Sequence, residues 1–202
     1  MLFYYTYIIS YLIFSLYCYY IDVLSNQDKL ESVKNKEKYS TSIHLVVFNV
    51  CFVTCIAFYI AEYFYEPRPF YVTTSLRDLI ICKYSSEILF YGVHRLFHTI
   101  RFMQKFHRVH HEFSHPIGIS AAYSHPIDYF FGNLVPLGIS PFILNTDTYT
   151  IIFMVIFGVY TTIVREHSNY THGTKHHLNH HLYYNCNYGS IWLDKICKTF
   201  RK

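Results

Sequence analysis

Residues 1–21 and 39–61 contain no Asp, Glu, Lys or Arg, and each run is close to the roughly 20 apolar residues that a helix needs to cross a hydrocarbon core. A chain that opens this way reads as membrane-embedded. The first run lacks the basic segment and small-residue cleavage site of a signal peptide, so it is expected to be a retained span. The residues between the runs, SNQDKLESVKNKEKY at 25–39, read as a charged loop joining the two arms of a hairpin. A composition of 52% hydrophobic and 15% charged residues excludes a disordered chain. The net charge of +4 is spread without a dense basic stripe, so nucleic acid is not expected as a partner. Six Cys without a C-x-x-C pair read as small hydrophobes, not as a disulfide framework.

Beyond Glu62 the pattern changes. Two prolines in EPRPF at 66–70 break the helix, and 76–98 is apolar but interrupted by Arg77, Asp78, Lys83 and Glu87. That segment reads as an interfacial or half-buried helix. Apolar runs at 129–146, kinked by Pro136 and Pro141, and at 148–164 read as a second membrane hairpin. The expected architecture is an all-α, polytopic integral membrane bundle with a histidine-rich dimetal cap. Residues 1–66 would form the N-terminal hairpin and its charged loop, and 67–202 a second domain that carries the histidine-rich segments and includes the second hairpin at 129–164.

Thirteen of the fourteen His lie between His94 and His181. Three boxes stand out: HRLFH (His94, His98), HRVHH (His107, His110, His111) and HLNHH (His177, His180, His181). Spacings of three and four place side chains on one face of a helix, so each box presents imidazoles in a common direction. One H-x-x-H-H arises by chance in about 0.07 of chains this rich in His, whereas two of them plus an H-x-x-x-H do not read as chance. Eight imidazoles suit two transition-metal ions. Imidazole serves Zn, Cu, Fe and Ni alike, and affinity order favours Cu or Zn in vitro, so the metal found after purification need not be the working one. Isolated His44, His115 and His172 read as packing, interfacial or loop residues.

The two His clusters share a site only if they lie on one side of the membrane, and the second hairpin supplies the even number of crossings this requires. By the same count the N-terminus is expected on that side. Arg95, Arg101, Lys105 and Arg108 beside the first cluster place it in the cytosol by the positive-inside rule, against which the four Lys of 25–39 weigh.

HRLFH, then HRVHHEF with PIGISAAYSHPID, then REHSN, then HHLNHHLYYNCNYG resemble the fatty acid hydroxylase superfamily of membrane non-heme diiron oxygenases over about residues 77–202. The nearest branches are C-4 methylsterol monooxygenase, cholesterol 25-hydroxylase and sterol C-5 desaturase. The resemblance implies that the eight box histidines bind two iron ions. It makes His125 and His167 accessory histidines in or near the metal shell, and His176 a position that is often His without being a box member. Glu87 and Asp128 stand where the family carries carboxylates, Asp and Glu respectively, and both keep the charge that can orient an imidazole. Lys198 replaces a usual Gly, and the C-terminal run is shorter than in the family.

The resemblance further implies oxygen-dependent hydroxylation or desaturation of a sterol or sterol-like membrane lipid. Electrons would come from NAD(P)H through separate proteins, a reductase and a b-type cytochrome, and the location would be the endoplasmic reticulum. No side chain beyond the metal centre is expected to act as an acid or base. Tyr123, Tyr129, Phe130 and Phe131 are candidate walls of a substrate channel. The alternatives are a fatty-acyl or sphingolipid hydroxylase of the same superfamily and a non-catalytic homologue that binds metal or lipid.

Overall fold

The computed structural model describes residues 1–24, 29–168 and 175–202, with the side chains of 29–35 left aside. His172 and the first four residues of the charged segment lie outside the described residues. Every element is helical among the described residues. Helix α1, Leu2–Tyr19, continues into a π-helical turn, Tyr20–Leu24. Helix α2, Lys29–Val47, passes through π-helical Phe48–Val53 into α3, Thr54–Tyr63. Most of the segment expected as a charged loop is therefore the first part of α2.

Helix α4, Val72–Thr99, is followed by α5, Arg101–His110, and a 3-10 turn at Gly118–Ala122. Helix α6, Pro126–Asp128, leads through π-helical Tyr129–Leu134 into α7, Val135–Ile143. Helix α8, Thr148–Tyr160, ends in π-helical Thr161–His167, and α9, Lys175–Tyr183, and α10, Ile191–Ile196, close the chain.

Three described helices are long and apolar enough to cross a membrane: Leu2–Leu24, Lys36–Tyr63 and Thr148–His167. Beside a buried apolar core that includes Val50, Ile117 and Ile163, many large apolar side chains face outward and several polar ones face inward. Leu12, Leu16, Phe52, Ile56, Ile80 and Phe153 are exposed, while Ser10, Asn49, Thr54 and Ser75 are buried between helices. Lipid solvates the first set as well as a protein core would, so small and polar residues take the interior, where they bring backbones close and find partners. Buried Asn49 donates to the carbonyls of Ala122 and Ser124 at 2.9 and 2.8 Å. Only a glycine fits at 118, where an added Cβ would lie 2.4 Å from the Cβ of Cys18 on α1.

The main helix pairs are α1 with α8 and α4 with α7. The N-terminal amino group pairs with Glu62, and Phe3 meets Tyr65 and Phe142 edge-on, so α1 begins at the end of the bundle that also holds the α7–α8 connection. It finishes at the opposite end, where Asp22 accepts from the Gly118 amide at 2.9 Å and from Ser168 Oγ at 2.7 Å. Helix α4 also runs from end to end. Its 28 residues, Val72–Thr99, extend about 42 Å, with Asp78, bonded to Arg68, Arg77 and Thr146, towards one end and His94 and His98 towards the other.

Two expectations are thereby corrected. The 76–98 segment, expected as an interfacial or half-buried helix, is not among the three of spanning length and hydropathy. It nevertheless runs along the bundle and does not lie across its end, and its charges sit near its ends or pair within it, as Lys83 does with Glu87 at 2.8 Å. That additional pass places the N-terminus at the end opposite the histidines. Of the second hairpin, α8 with its π-helical end reaches spanning length and hydropathy, whereas the arm carrying Pro136, Gly138 and Pro141 is not among the three.

Candidate metal centre

Helix α4 ends in the first box, α5 carries the second and α9 the third, and all three meet at one end of the bundle. On α5, His107 and His111 are four residues apart, about 40° around the helix, while His110 diverges to the other side. On α9, His177 and His181 pair in the same way and His180 diverges. Whereas α4 serves one cluster, helices α5 and α9 therefore each serve two clusters. One comprises His94, His98, His107, His111 and His180; the other comprises His110, His167, His177 and His181, and within each cluster the ligand atoms lie within 4.8 Å of one another.

The ring orientations carry the chemistry. His94 Nδ1 donates to the carbonyl of Tyr188 at 2.6 Å, His180 Nδ1 to that of Cys186 at 2.7 Å, His167 Nδ1 to that of Thr162 at 2.6 Å and His110 Nδ1 to that of Tyr123 at 3.1 Å. A carbonyl only accepts, so these Nδ1 atoms hold the ring proton and each neutral ring turns a bare Nε2 lone pair inward. His107 Nδ1 lies 2.9 Å from Asp128 Oδ2, the arrangement by which a carboxylate orients a metal-binding imidazole.

The inward Nε2 atoms crowd together. His94 and His107 are 3.1 Å apart, His98 and His180 3.2 Å, and His177 and His167 3.2 Å. Where both Nδ1 protons are held by an acceptor, as on His94 and His107, the facing Nε2 lone pairs repel unless a cation lies between them. Metal–nitrogen bonds of about 2.0–2.1 Å separate neighbouring ligands by roughly 2.9–3.4 Å. The donor set fits a metal in each cluster. Burial, reinforced by neighbouring imidazoles, holds His107, His111, His177, His180 and His181 below the ordinary histidine pKa, which keeps them neutral and available as ligands.

The other singled-out residues fall outside the clusters. His125 Nδ1 accepts from the Ile127 amide at 3.2 Å and caps the helix that follows. His176 Nε2 lies 3.0 Å from Asp194 Oδ2 and 3.1 Å from the Gly189 carbonyl, in the C-terminal cap. Glu87 takes Lys83 on one oxygen and the Trp192 indole at 2.7 Å on the other. His167, by contrast, is a full member of the second cluster. The π-helical end of α8 carries it there, and no box spacing marks it.

Sequence reading missed Asp194 and Tyr184. Asp194 accepts from the amides of Tyr188 and Gly189 and from Thr199 Oγ1, so it ties down the loop whose Tyr188 carbonyl orients His94. Tyr184, in the left-handed region at φ 65°, lays its ring 4.4 Å from that of His98 and 4.6 Å from that of His111. The WLDK segment is the only local signal for the first, and nothing local marks the second.

A cavity of about 900 Å³ reaches the clusters from the α4–α8 side, with His94, His107, His110, His167 and His177 in its wall and Phe90, Leu137, Met154 and Phe157 lining its apolar part. Its volume is in the range of cavities that enclose a small organic ligand.

A family model described as fatty acid hydroxylase matches residues 79–199. The chain is 28% identical over 164 residues to Fatty acid hydroxylase domain-containing protein 2 of Homo sapiens, covering 76% of this chain and 49% of that protein. It is 30% identical over 177 residues to Fatty acid hydroxylase ahd1 of Mycosarcoma maydis, covering 80% and 45% respectively. It is 29% identical over 178 residues to Methylsterol monooxygenase 1 of Rattus norvegicus, covering 76% and 59%. The chain thus spans about half the length of the curated relatives it matches. No solved structure matches it.

Proposed function

Because this chain belongs to the fatty acid hydroxylase family, we propose that it is a membrane oxygenase that hydroxylates or desaturates a sterol or sterol-like lipid at a pair of iron ions. The observation that carries this is the set of nine imidazoles whose Nε2 atoms face one another in two adjoining clusters. The eight box histidines and His167 would hold the ions, with Asp128 orienting His107. When bound, the iron pair supplies oxygen activation for attack on an unactivated C–H bond, with electrons delivered from NAD(P)H by separate redox proteins such as a b-type cytochrome.

The chain's own residues do the rest. The carbonyls of Tyr188, Cys186, Thr162 and Tyr123 hold the ring protons at Nδ1 and so keep each Nε2 directed inward. Phe90, Met154 and Phe157 exclude water from the chamber and give an apolar lipid a place beside His110 and His177. Residues 67–202 act as the catalytic unit in this reading, with 1–66 a flanking membrane hairpin.

In this reading the histidine end faces the cytosol and the membrane is that of the endoplasmic reticulum. All Lys and Arg except Arg68, Arg77 and Lys83 belong to segments at that end, including the four Lys at the start of α2 that had weighed against this orientation. The relatives named for methylsterol oxidation support the sterol reading, and those named as fatty acid hydroxylases keep a fatty-acyl substrate as the second one.

Lipid profiling of a sterol-poor host that expresses the chain, beside His110→Ala and His180→Ala, tests both. A new oxygenated or desaturated sterol in wild type, absent from the variants, is the expected result. A change confined to acyl lipids favours the second reading, and no lipid change in well-expressed, iron-loaded protein supplied with a competent reductase overturns the proposal.

A further inference from the structure

Behind the large chamber lies a second cavity of about 110 Å³, lined by Tyr7, Tyr11, Phe58, Tyr129, Phe142 and Ile151. Five residues line both: Asn133 and Leu137 before and on α7, and Met154, Gly158 and Thr162 along α8. Each set is spaced by four, so it forms one row along its helix, and the two rows together make the seam that divides chamber from slot. At Gly158 the seam has no side chain, and an added Cβ would meet nothing within 4 Å. The same holds for Gly138, which lines the slot.

The slot's tyrosine hydroxyls are already engaged. Tyr7 and Tyr129 bond each other at 2.6 Å, Tyr129 also bonds Thr54 at 3.1 Å, and Tyr11 donates to the Ile119 carbonyl at 3.2 Å. A polar headgroup entering here would give up water and find no free partner among these hydroxyls. An alkyl group loses nothing. The volume is below the about 150 Å³ of an apolar cavity that accepts a benzene ring, so fused rings are too large and the flexible end of a lipid is not.

We propose that the slot holds the alkyl terminus of the lipid substrate, which passes from the chamber through the gap in the seam at Gly158. The slot then acts as a depth stop. How far the terminus enters decides which carbon lies beside His110 and His177 in the chamber. This inference rests on the chamber being the substrate site, and it names the part of the substrate the fold selects. Both an acyl chain and a sterol side chain present such a terminus.

Photo-crosslinking tests the slot without turnover. The full chain in native membranes is labelled with a 16-carbon fatty acid that carries a diazirine near its methyl end, or with a sterol carrying a diazirine in its side chain, and the adducts are mapped by mass spectrometry. Labelling of Tyr7, Phe142 or Ile151 by either probe is the expected result, and the probe that labels identifies the lipid class. Gly158→Phe is expected to reduce that labelling about tenfold, and Gly158→Ala by less. Gly92→Leu, at a position where an added Cβ also meets nothing, is expected to leave it unchanged.

Absence of slot labelling with both probes in wild type overturns the proposal. So does labelling that Gly158→Phe leaves intact in protein whose thermal unfolding matches wild type. Slot labelling in a protein that oxidises no lipid keeps the slot and rejects the oxygenase reading; lipid oxidation without slot labelling does the reverse.

Discussion

Single histidines in this protein are defined by what their second nitrogen does. Four of the cluster imidazoles donate a hydrogen bond from Nδ1 to a backbone carbonyl, and His107 pairs with Asp128. The carbonyl partners are not open to side-chain substitution, but Asp128 is. Asp128→Ala leaves His107 without its orienting partner, and metal affinity is expected to fall about 10–100-fold by chelator competition. Affinity equal to wild type would show that His107 needs no such support. The box histidines were readable in advance because a spacing of three or four is geometry within a single helix. His167 gained its place only through the π-helical end of α8, which no spacing of histidines encodes.

Among the elements, α10 and the loop before it have the most to lose from a single change. Asp194 is fully buried and gathers the amides of Tyr188 and Gly189, Thr199 Oγ1 and His176 Nε2. Burial alone would raise its pKa, but these hydrogen bonds, His176 first, hold it below the usual carboxylate value. A carboxyl with a lowered folded pKa stabilises fully above the unfolded value of about 3.9 and loses that contribution as pH falls through the folded value. Acid is therefore expected to loosen residues 185–200 before the membrane helices. Asp194→Asn should destabilise this cap by about 2 kcal/mol at neutral pH and remove the acid transition. Hydrogen exchange of the cap as a function of pH reads both, and a cap whose protection is the same in wild type and variant would refute the assignment. The direction of α4 was not legible in the sequence, where its interrupting charges suggested an interfacial or half-buried helix. Asp78 is instead buried among Arg68, Arg77 and Thr146, a set of partners that no local pattern announces.

For the whole molecule, the order of passes sets the sidedness. The N-terminus lies beside Glu62 and the C-terminal Asn187–Arg201 contacts lie beside the histidine cap, so the two termini occupy opposite ends. In sealed microsomes a protease added outside is expected to remove a C-terminal tag and spare an N-terminal one. Loss of both tags from intact vesicles, or protection of the C-terminal one, would contradict the arrangement. By itself the sequence determined that helices would cross a membrane, that three histidine boxes would present imidazoles in concert, and which family the chain resembles. Those properties follow from run length, from helical period and from local motif, all of which are encoded within a few turns. Tertiary structure alone decided the partition of nine histidines into clusters of five and four, the carbonyl partners that fix four of their tautomers, the end at which the chain begins and the unfilled space beside Gly158. Each of these depends on which helices pack together across long separations in the chain, and that choice is made by the sum of many weak contacts, so no single segment carries it.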